Sequence, residues 1–258
     1  MDSTATAQVV GEWRAVNLAH EAAGSVHDDA VAQRLGFRGG FVPGVTVVGY
    51  VVEAWRRQLG LPLGLRPFKL TLDLRAPVYD GQVARVKALL DGDCWRYAVE
   101  TDDGRTTTEG TIEPAVQDWP LAAAPPEAQT FDGVDVGNLG APERTFARAE
   151  VSAYYADQLQ TAVPGDGDLP VSIGQWGNPL GPIIERLSAT HFTIHRGSTI
   201  HVQRLPLADQ PYRFGTSVEA IDRRPPDRAW ISVQCDIIDR SGERLVAIQH
   251  RSAVRKRE

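Results

Sequence analysis

The chain has 258 residues, enough for one large domain or for two domains of about 130 residues, each with its own core. Its hydrophobic content of 42% and charged content of 23% are those of an ordinary globular protein, not of a disordered or fibrous one. The formal net charge of −6 argues against nucleic acid as a partner, because binding phosphates requires a surplus of Lys and Arg on one face.

The cysteines and the N-terminus favour a reducing compartment. Only Cys94 and Cys235 occur, each inside an apolar alternating segment, so a disulfide framework is not expected. Residues 1–10 lack a basic region followed by an apolar run, and no stretch reaches the roughly 18 apolar residues of a membrane span. We therefore predict a cytoplasmic protein that does not associate with a membrane.

The first part of the chain predicts one strand and two helices. Residues 8–19 alternate loosely, as expected for a strand or extended arm. Ser25, followed three residues later by Asp28, resembles a capping box and predicts a short helix that Gly36 ends in a left-handed conformation. Residues 45–59 are apolar on nearly all faces, which predicts a helix buried on most of its surface.

Antiparallel strands are expected after this long helix. Alternating segments are separated by turn sequences such as Asp80-Gly81 and Asp91-Gly92, which are typical of hairpins. The predicted strands of the first half are residues 68–77, 83–91, 95–102 and 105–113. One buried helix against an antiparallel sheet is therefore the expected architecture of this half.

The second half of the chain repeats this plan after a segment without periodicity. Residues 114–143 are rich in Pro, Ala and Gly and contain the best candidate for a linker. We assign an N-terminal domain to residues 1–125, a linker to 126–143 and a C-terminal domain to 144–258. The predicted strands of the second half are residues 198–206, 212–222, 229–239 and 243–254.

Two further features bear on the repeat. The sequence Arg75-x-Pro77-x-x-Asp80 recurs as Arg204-x-Pro206-x-x-Asp209 at the end of a long strand in each half, which supports duplication. The central helix of the second half is expected within residues 169–187. Glycines and prolines interrupt this segment, so the helix is predicted to be broken or to begin late, with Asn178 as its cap.

The sequence VHDDAVAQRLGFRGGFVPG, residues 26–44, resembles the motif region of the MaoC-like dehydratases, also called (R)-specific enoyl-thioester hydratases. The signature of that family is Asp-x-Asn-Pro-x-His, followed by a glycine before the central helix. The resemblance implies an α+β double hot-dog fold, in which two antiparallel sheets are each wrapped around a central helix. It also implies reversible addition of water to an enoyl thioester.

Position by position, the match to this signature is incomplete. The histidine falls on His27, but the aspartate falls on Ala22, the asparagine on Gly24 and the proline on Ser25. The resemblance implies that His27 is the general acid/base and that the Gly44 amide holds the thioester oxygen. The candidates to replace the missing carboxylate are Glu21, Asp28 and Asp29, of which Asp28 is the one we include among the catalytic candidates.

Other residues near the motif are candidates for binding the acyl group. Gly39 and Gly40 would allow a ligand to approach the backbone closely. The remaining substrate-binding candidates are Val42, Pro43 and Trp55. We expect His195, His201 and His250 to be surface histidines or histidines with satisfied hydrogen bonds, because their spacing fits no metal site. We predict neither a metal nor a cofactor.

The primary functional hypothesis is a hydratase or dehydratase acting on an enoyl thioester or a related conjugated carbonyl. Alternatives are a thioesterase, an isomerase or cyclase of the same fold, and a non-catalytic acyl-binding subunit. Each of them predicts an acyl thioester as the partner molecule. The sequence leaves open whether coenzyme A or an acyl-carrier protein carries the acyl group, and whether two chains form a homodimer.

Overall fold

The computed structural model describes residues 7–22, 25–62, 66–115, 130–136, 139, 142–163, 166–177, 181–187, 190–224 and 228–256. The first half contains β1 (Gln8–Arg14), α1 (Asp29–Arg34), α2 (Gly44–Gln58), β2 (Phe68–Leu74), β3 (Val83–Asp91), β4 (Cys94–Thr101) and β5 (Thr106–Pro114). The long helix and the four strands that follow it agree with the sequence prediction to within a few residues.

A two-stranded hairpin, β6 (Thr130–Phe131) and β7 (Val134–Asp135), lies inside the segment assigned as the linker. The second half contains β8 (Glu143–Thr145), α3 (Arg148–Asp157), α4 (Ile173–Trp176), α5 (Gly181–Leu187), β9 (His191–Val202), β10 (Pro211–Arg224), β11 (Arg228–Ile238) and β12 (Arg244–Lys256). The predicted cap Asn178 lies outside the described residues.

The strand β9 begins seven residues before its predicted start at residue 198. The missed part has histidine and arginine where an alternating pattern would place apolar residues. His195 and Ser198 lie on the face of β9 that also carries the buried Ile200 and Val202, across a register shift near Gly197. The first part of β9 was not predicted, because polar side chains on its inner face interrupt the hydrophobic alternation.

The two halves form one continuous antiparallel sheet, where the sequence analysis expected two. Its strand order is β1-β3-β4-β5-β2-β9-β12-β11-β10-β8. Each half contributes five strands in the same relative order, with β2 and β9 as equivalent members. These two strands pair antiparallel, and Leu72 lies opposite Ser198. The chain is therefore a duplicated unit whose halves join edge to edge, as in the double hot-dog fold.

The repeated Arg-x-Pro-x-x-Asp sequence performs the same structural task in both halves. The Asp80 carboxylate accepts a hydrogen bond of 2.8 Å from the Asn17 amide, just after β1. The Asp209 carboxylate accepts one of 2.9 Å from the Arg148 amide, just after β8. Each aspartate thus fastens the segment that leaves the first strand of its half, which confirms the correspondence predicted from the sequence.

The central helices of the two halves start at equivalent points but differ in length. The Val42 amide donates to the Val78 carbonyl just before α2, and the Val171 amide donates to the Pro206 carbonyl just before α4. Whereas α2 runs for 15 residues, α4 ends after four, at Trp176. The prediction of a broken helix is therefore correct, although it begins before the predicted cap.

The main core lies between the sheet and α2. Ten consecutive residues of α2, Thr46–Trp55, are buried. In β2 the buried and partly buried residues alternate strictly, and the apolar side chains point to the helix. A smaller second core forms around α5, where Ile183 and Leu187 pack with apolar residues of β10, β11 and β12.

Near the C-terminal end of α2, Glu53 is buried and binds two arginines. Its carboxylate accepts hydrogen bonds of 2.7 Å from both Arg56 and Arg57, and one of 2.8 Å from the Thr161 hydroxyl. Burial raises the pKa of Glu53, but these donors outweigh it and hold the pKa below its usual value. The ion pairs lie within α2, while the hydrogen bond from Thr161 and those from Arg57 to the carbonyls of Leu159 and Gln160 fasten the helix to the segment that follows α3.

The helices α2 and α4 meet where two glycines leave room for a tyrosine. A Cβ on Gly49 would lie 3.7 Å from the Cα of Gly174, and 3.2 Å from the Tyr154 hydroxyl. A Cβ on Gly174 would lie only 1.8 Å from that hydroxyl and 3.2 Å from the Val45 carbonyl oxygen. Because Tyr154 fills this space, Gly174 has no room for a side chain.

We expect Gly174→Ala to destabilise the chain by about 1–3 kcal/mol, because the added methyl group overpacks the contact between the helices. Urea unfolding monitored by circular dichroism measures the change. Gly181→Ala is the matched control, since a Cβ at Gly181 would meet no atom within 4 Å. Equal stability of the two variants would contradict the described helix contact.

Candidate active site

His27 lies in the loop immediately before α1 and is oriented by one strong hydrogen bond. Its Nδ1 is 2.6 Å from the carbonyl oxygen of Phe41, and its ring contacts the Phe41 ring edge to face at 5.5 Å. Because a carbonyl oxygen can only accept, Nδ1 must carry the proton. The other ring nitrogen, Nε2, then has a free lone pair and can act as a base.

The surroundings of His27 favour its neutral form. Burial lowers the pKa of His27 below its ordinary value of 6.5, and the hydrogen bond to the Phe41 carbonyl offsets only part of this effect. The imidazole is therefore neutral at pH 7. A neutral imidazole with one nitrogen fixed as a donor and the other free is the resting state that general-base catalysis requires.

The backbone around His27 packs against Gly39 and Gly40, and this packing explains why both positions are glycine. The Asn17 side-chain amide donates to the His27 carbonyl oxygen at 2.9 Å. A Cβ on Gly40 would lie 2.1 Å from that same oxygen, so no other residue fits there. A Cβ on Gly39 would lie 3.0 Å from the Asp29 carboxylate. Both glycines therefore serve the packing of the loop against α1.

The acidic residues near His27 have structural partners. The Asp28 carboxylate caps α1 by accepting a hydrogen bond of 2.9 Å from the Val31 amide. Asp28 itself, and not Ser25, is therefore the N-cap, which corrects the predicted capping box. The Asp29 carboxylate accepts a hydrogen bond of 2.7 Å from the Gly40 amide.

The position that corresponds to the family's aspartate carries no ionisable side chain and is exposed to solvent. Ala22 is exposed, and Glu21 beside it is exposed, with its carboxylate 3.7 Å from Nε2 of His20. Gly24 lies outside the described residues. Across the ranges that the structure describes, no carboxylate forms a hydrogen bond or ion pair with the His27 ring. The second acid/base group that the resemblance implies is therefore not found there.

Gly44 is the first residue of α2, and the chain reaches it three residues after Phe41. The N-cap residue Pro43 makes no side-chain hydrogen bond to the helix, while its carbonyl accepts from the Thr46 amide at 2.9 Å. The Cα atoms of Phe41 and Gly44 are at most about 11 Å apart, because three peptide units span no more. Phe41, whose carbonyl holds the His27 ring, is therefore within about 11 Å of the positive end of α2.

Among the remaining candidates, Val42 and Pro43 are next to Gly44 and Trp55 is not. Val42 is buried and pairs with Val78 through its amide. Trp55 is buried against Phe68, with ring centroids 5.0 Å apart. It lies about 16 Å along the helix axis from Gly44, at 1.5 Å per residue. Trp55 is therefore a core residue of the opposite end of α2.

Two histidines and two serines form a chain of hydrogen bonds inside the second half. The Nε2 of His195 is 2.9 Å from the Ser198 hydroxyl, which is 3.1 Å from Nδ1 of His250. The Nε2 of His250 is in turn 2.9 Å from the Ser252 hydroxyl. The two imidazoles stack with centroids 4.0 Å apart. His250 is thus a buried histidine with both ring nitrogens hydrogen-bonded, which is one of the two expected outcomes. His195 matches this expectation only at Nε2, because its Nδ1 makes no such hydrogen bond.

Burial is the dominant influence on both imidazoles of this chain. It lowers the pKa of His195 to about 3 and that of His250 well below its usual value, and the proximity of His195 lowers the latter further. Both rings are therefore neutral at physiological pH. His201, six residues after His195, lies on the opposite face of β9 and is not part of this network.

The outer face of the sheet carries a polar groove of about 710 Å³, whose lining also includes Ser198 and His250 of this network. Its lining includes Thr71, Arg96, Glu109, Thr199 and Arg251. In the described ranges no group of three or more His, Cys, Asp or Glu residues is arranged to hold a metal ion. None of the helices described there is long and apolar enough to cross a membrane.

Comparison with solved structures identifies the fold. A MaoC domain protein dehydratase from Chloroflexus aurantiacus aligns with 98% of this chain and 95% of its own, with a TM-score of 0.61 and 10% identity. A Mycobacterium tuberculosis protein described as having a double hotdog fold aligns over 99% and 97%, with a TM-score of 0.60 and 10% identity.

An oleoyl thioesterase from Lactobacillus plantarum aligns over 99% of this chain and 98% of its own, with a TM-score of 0.52 and 10% identity. No protein-family model matches the sequence, and no curated protein matches it. The chain therefore has the double hot-dog fold, and its likeness to MaoC-like dehydratases is one of structure.

The buried histidines predict a loss of stability in acid. The unfolded chain protonates an imidazole near pH 6.5, whereas the folded chain protonates His195 only near pH 3, so stability falls as the pH drops between these values. Between pH 7 and pH 5 the contribution of this residue amounts to about 2 kcal/mol.

Urea unfolding at pH 7 and pH 5 tests this expectation. The difference between the two pH values should be about 2 kcal/mol smaller in His195→Gln than in the wild type. His20→Gln, which alters an exposed imidazole, should keep the wild-type difference. The same pH dependence in all three proteins would show that the His195 ring is hydrated in the folded chain.

Proposed function

We propose that the chain is an enzyme acting on acyl thioesters, and specifically a hydratase or dehydratase of enoyl thioesters carried by coenzyme A or an acyl-carrier protein. The observation that carries the proposal is the hydrogen bond between His27 Nδ1 and the Phe41 carbonyl. It leaves Nε2 free as a base, and Phe41, whose carbonyl holds the ring, lies three residues before Gly44, the first residue of a long buried helix. A base and an oxyanion donor are the two groups that thioester chemistry needs most.

The proposed reaction uses one imidazole twice. Nε2 of His27 removes a proton from water as the water oxygen bonds to the β-carbon, and the electrons of the alkene move onto the thioester oxygen. The Gly44 amide stabilises the enolate oxygen, aided by the positive end of the α2 dipole. The imidazolium then returns its proton to the α-carbon, which restores the resting enzyme and completes the addition of water.

The side chain of Leu74 covers Gly44. A Cβ on Gly44 would lie 2.4 Å from Leu74 Cδ1, so this methyl group occupies the space beside the first turn of α2. Leu74 is itself 9% exposed. Binding of an acyl group therefore requires the Leu74 side chain to change rotamer, a small movement compared with opening a loop.

Thioester hydrolysis is the second candidate, favoured by the lack of a described carboxylate partner for His27. Hydrolysis needs one base to deliver water to the carbonyl carbon and one donor for the oxygen, with no proton transfer to carbon. The same two groups could provide this. The structural neighbours named as a dehydratase and as a thioesterase are consistent with either reaction on this fold.

Cysteine usage also bears on location. Cys94 and Cys235 are both free thiols, and Cys235 is buried. Reduced cysteines of this kind suit a reducing compartment, so we propose the cytoplasm as the site of action.

We expect the purified chain to hydrate a panel of short-, medium- and long-chain 2-enoyl-CoA thioesters, with His27→Ala lowering kcat by about 100-fold or more. The loss of absorbance of the conjugated thioester measures hydration, and a thiol reagent measures release of coenzyme A. The wild-type rate should fall as the pH drops through the pKa of His27, which lies below 6.5, because only the neutral ring is a base.

His20→Ala is the matched control, since His20 is exposed and lies seven residues from His27. Its rate should equal that of the wild type. Release of thiol from a substrate whose alkene stays intact would show that the activity is thioester hydrolysis and not hydration. A wild-type chain that binds acyl-CoA but converts none of it would reject both reactions in favour of a binding protein.

A further inference from the structure

His195 of the second half lies beside the first residue of α2 in the first half. A Cβ on Gly44 would be 3.4 Å from His195 Nδ1, which places this nitrogen within about 5 Å of the Gly44 Cα, given a Cα–Cβ bond of about 1.5 Å. Nδ1 is buried and makes no hydrogen bond of normal geometry in the described part of the chain, although the residue as a whole is only partly buried. The Gly197 backbone, two residues along β9, also interacts with the ring and offsets part of the effect of burial on the pKa of His195. A buried polar nitrogen without a partner is costly and suggests a ligand.

We propose that His195 Nδ1 is a second oxyanion donor, which binds the thioester oxygen of the substrate together with the Gly44 amide. The proposal rests on the proposed function in one respect, namely that the ligand is an acyl thioester. It does not depend on the choice between hydration and hydrolysis, because negative charge develops on the same oxygen in both.

The hydrogen bonds behind His195 decide whether its Nδ1 can donate. When the Ser198 hydroxyl donates to His195 Nε2, the proton of the neutral ring must reside on Nδ1. Ser198 then accepts from Nδ1 of His250, and Nε2 of His250 accepts from the Ser252 hydroxyl. Every hydrogen bond is satisfied in this direction of the chain. The proposal requires this direction, because the reverse one places the proton of His195 on Nε2 and leaves Nδ1 as an acceptor.

The same network keeps the ring oriented and uncharged. His195 stacks on His250, whose side chain is only 2% exposed, and Ser252 is fully buried. Burial that lowers the pKa of His195 to about 3 keeps the imidazole neutral throughout the physiological range. A neutral imidazole held in place is a hydrogen-bond donor that can polarise a carbonyl without giving up its proton. His195 and His27 thus have different tasks.

This role would explain why polar residues occupy the inner face of a strand at the centre of the sheet. The neighbouring inner positions of β9 are the apolar Ile200 and Val202. Hydrophobic residues at positions 195 and 198 would pack the same core without the cost of burying polar groups. The second half then supplies a functional group to the site of the first.

Steady-state kinetics test the proposal through a set of variants at one position. With the thioester that the wild type converts best, His195→Phe should lower kcat by about 100-fold with little change in KM, because the donor acts on the transition state. His195→Gln, which keeps an N–H donor, should retain more activity than His195→Phe. The control is His201→Gln, on the opposite face of β9, which should match the wild type.

An infrared measurement tests the contact without turnover. The probe is a 2-oxoalkyl-CoA labelled with ¹³C at its carbonyl, a ketone that can be neither hydrated as an alkene nor hydrolysed. Bound to the wild type and to His201→Gln, its carbonyl stretch should shift to lower frequency than in water. In His195→Phe most of this additional shift should disappear, even when thermal unfolding shows an intact fold.

The possible results separate this proposal from the proposed function. If the wild type converts thioesters and His195→Phe matches it in kcat and in carbonyl frequency, His195 is not a donor and the proposed function stands. If the wild type converts no thioester and does not bind the ketone, both proposals fall. If the wild type binds the ketone without converting any thioester, the carbonyl frequency of His195→Phe alone decides whether His195 contacts the oxygen.

Discussion

The antiparallel pairing of β2 with β9 is the constraint on which the rest of the molecule depends. It joins two five-stranded halves into one sheet and closes the inner face of that sheet over α2. Since β2 leads away from α2 and β9 belongs to the other half, this pairing brings His195 next to Gly44, residues separated by 151 positions in the sequence. The main core accordingly contains residues of both halves.

The elements of the first half could be predicted because their apolar residues lie at the positions that the structure buries. In β2 every second residue is apolar and buried, and α2 is apolar on almost all faces because it is enclosed on almost all faces. The start of β9 could not be predicted, since His195 and Ser198 take positions where apolar residues normally stand. The four residues of α4 are too few to show a helical period at all.

The motif around His27 gave the position of one candidate residue but not its chemistry. The tautomer of His27 depends on the Phe41 backbone carbonyl, fourteen residues later, and a backbone group carries no signature in the sequence. Similarly, the motif suggested Asp28 as a catalytic residue, whereas the structure places its carboxylate on the Val31 amide. The available signal for His195 was the recurrence of His and Ser at inner positions of two otherwise apolar strands.

The proposed site combines groups from both halves of the fold. The first half holds a neutral base and the first amide of the only long helix among the described residues, and the second half adds a polar network in place of a long helix of its own. In this proposal the second half adds a hydrogen-bond donor for the oxygen of the ligand. It does not add a second acid/base group, which agrees with the absence of a described carboxylate at His27.

A crystal structure of the chain with the 2-oxoalkyl-CoA ketone bound tests the central claim most directly. The account predicts the ketone oxygen within hydrogen-bond distance of the Gly44 amide, with His27 Nε2 facing the adjoining carbon atoms and the Leu74 side chain rotated away. A ketone bound instead in the polar groove on the outer face of the sheet, with Leu74 still covering Gly44, would contradict it.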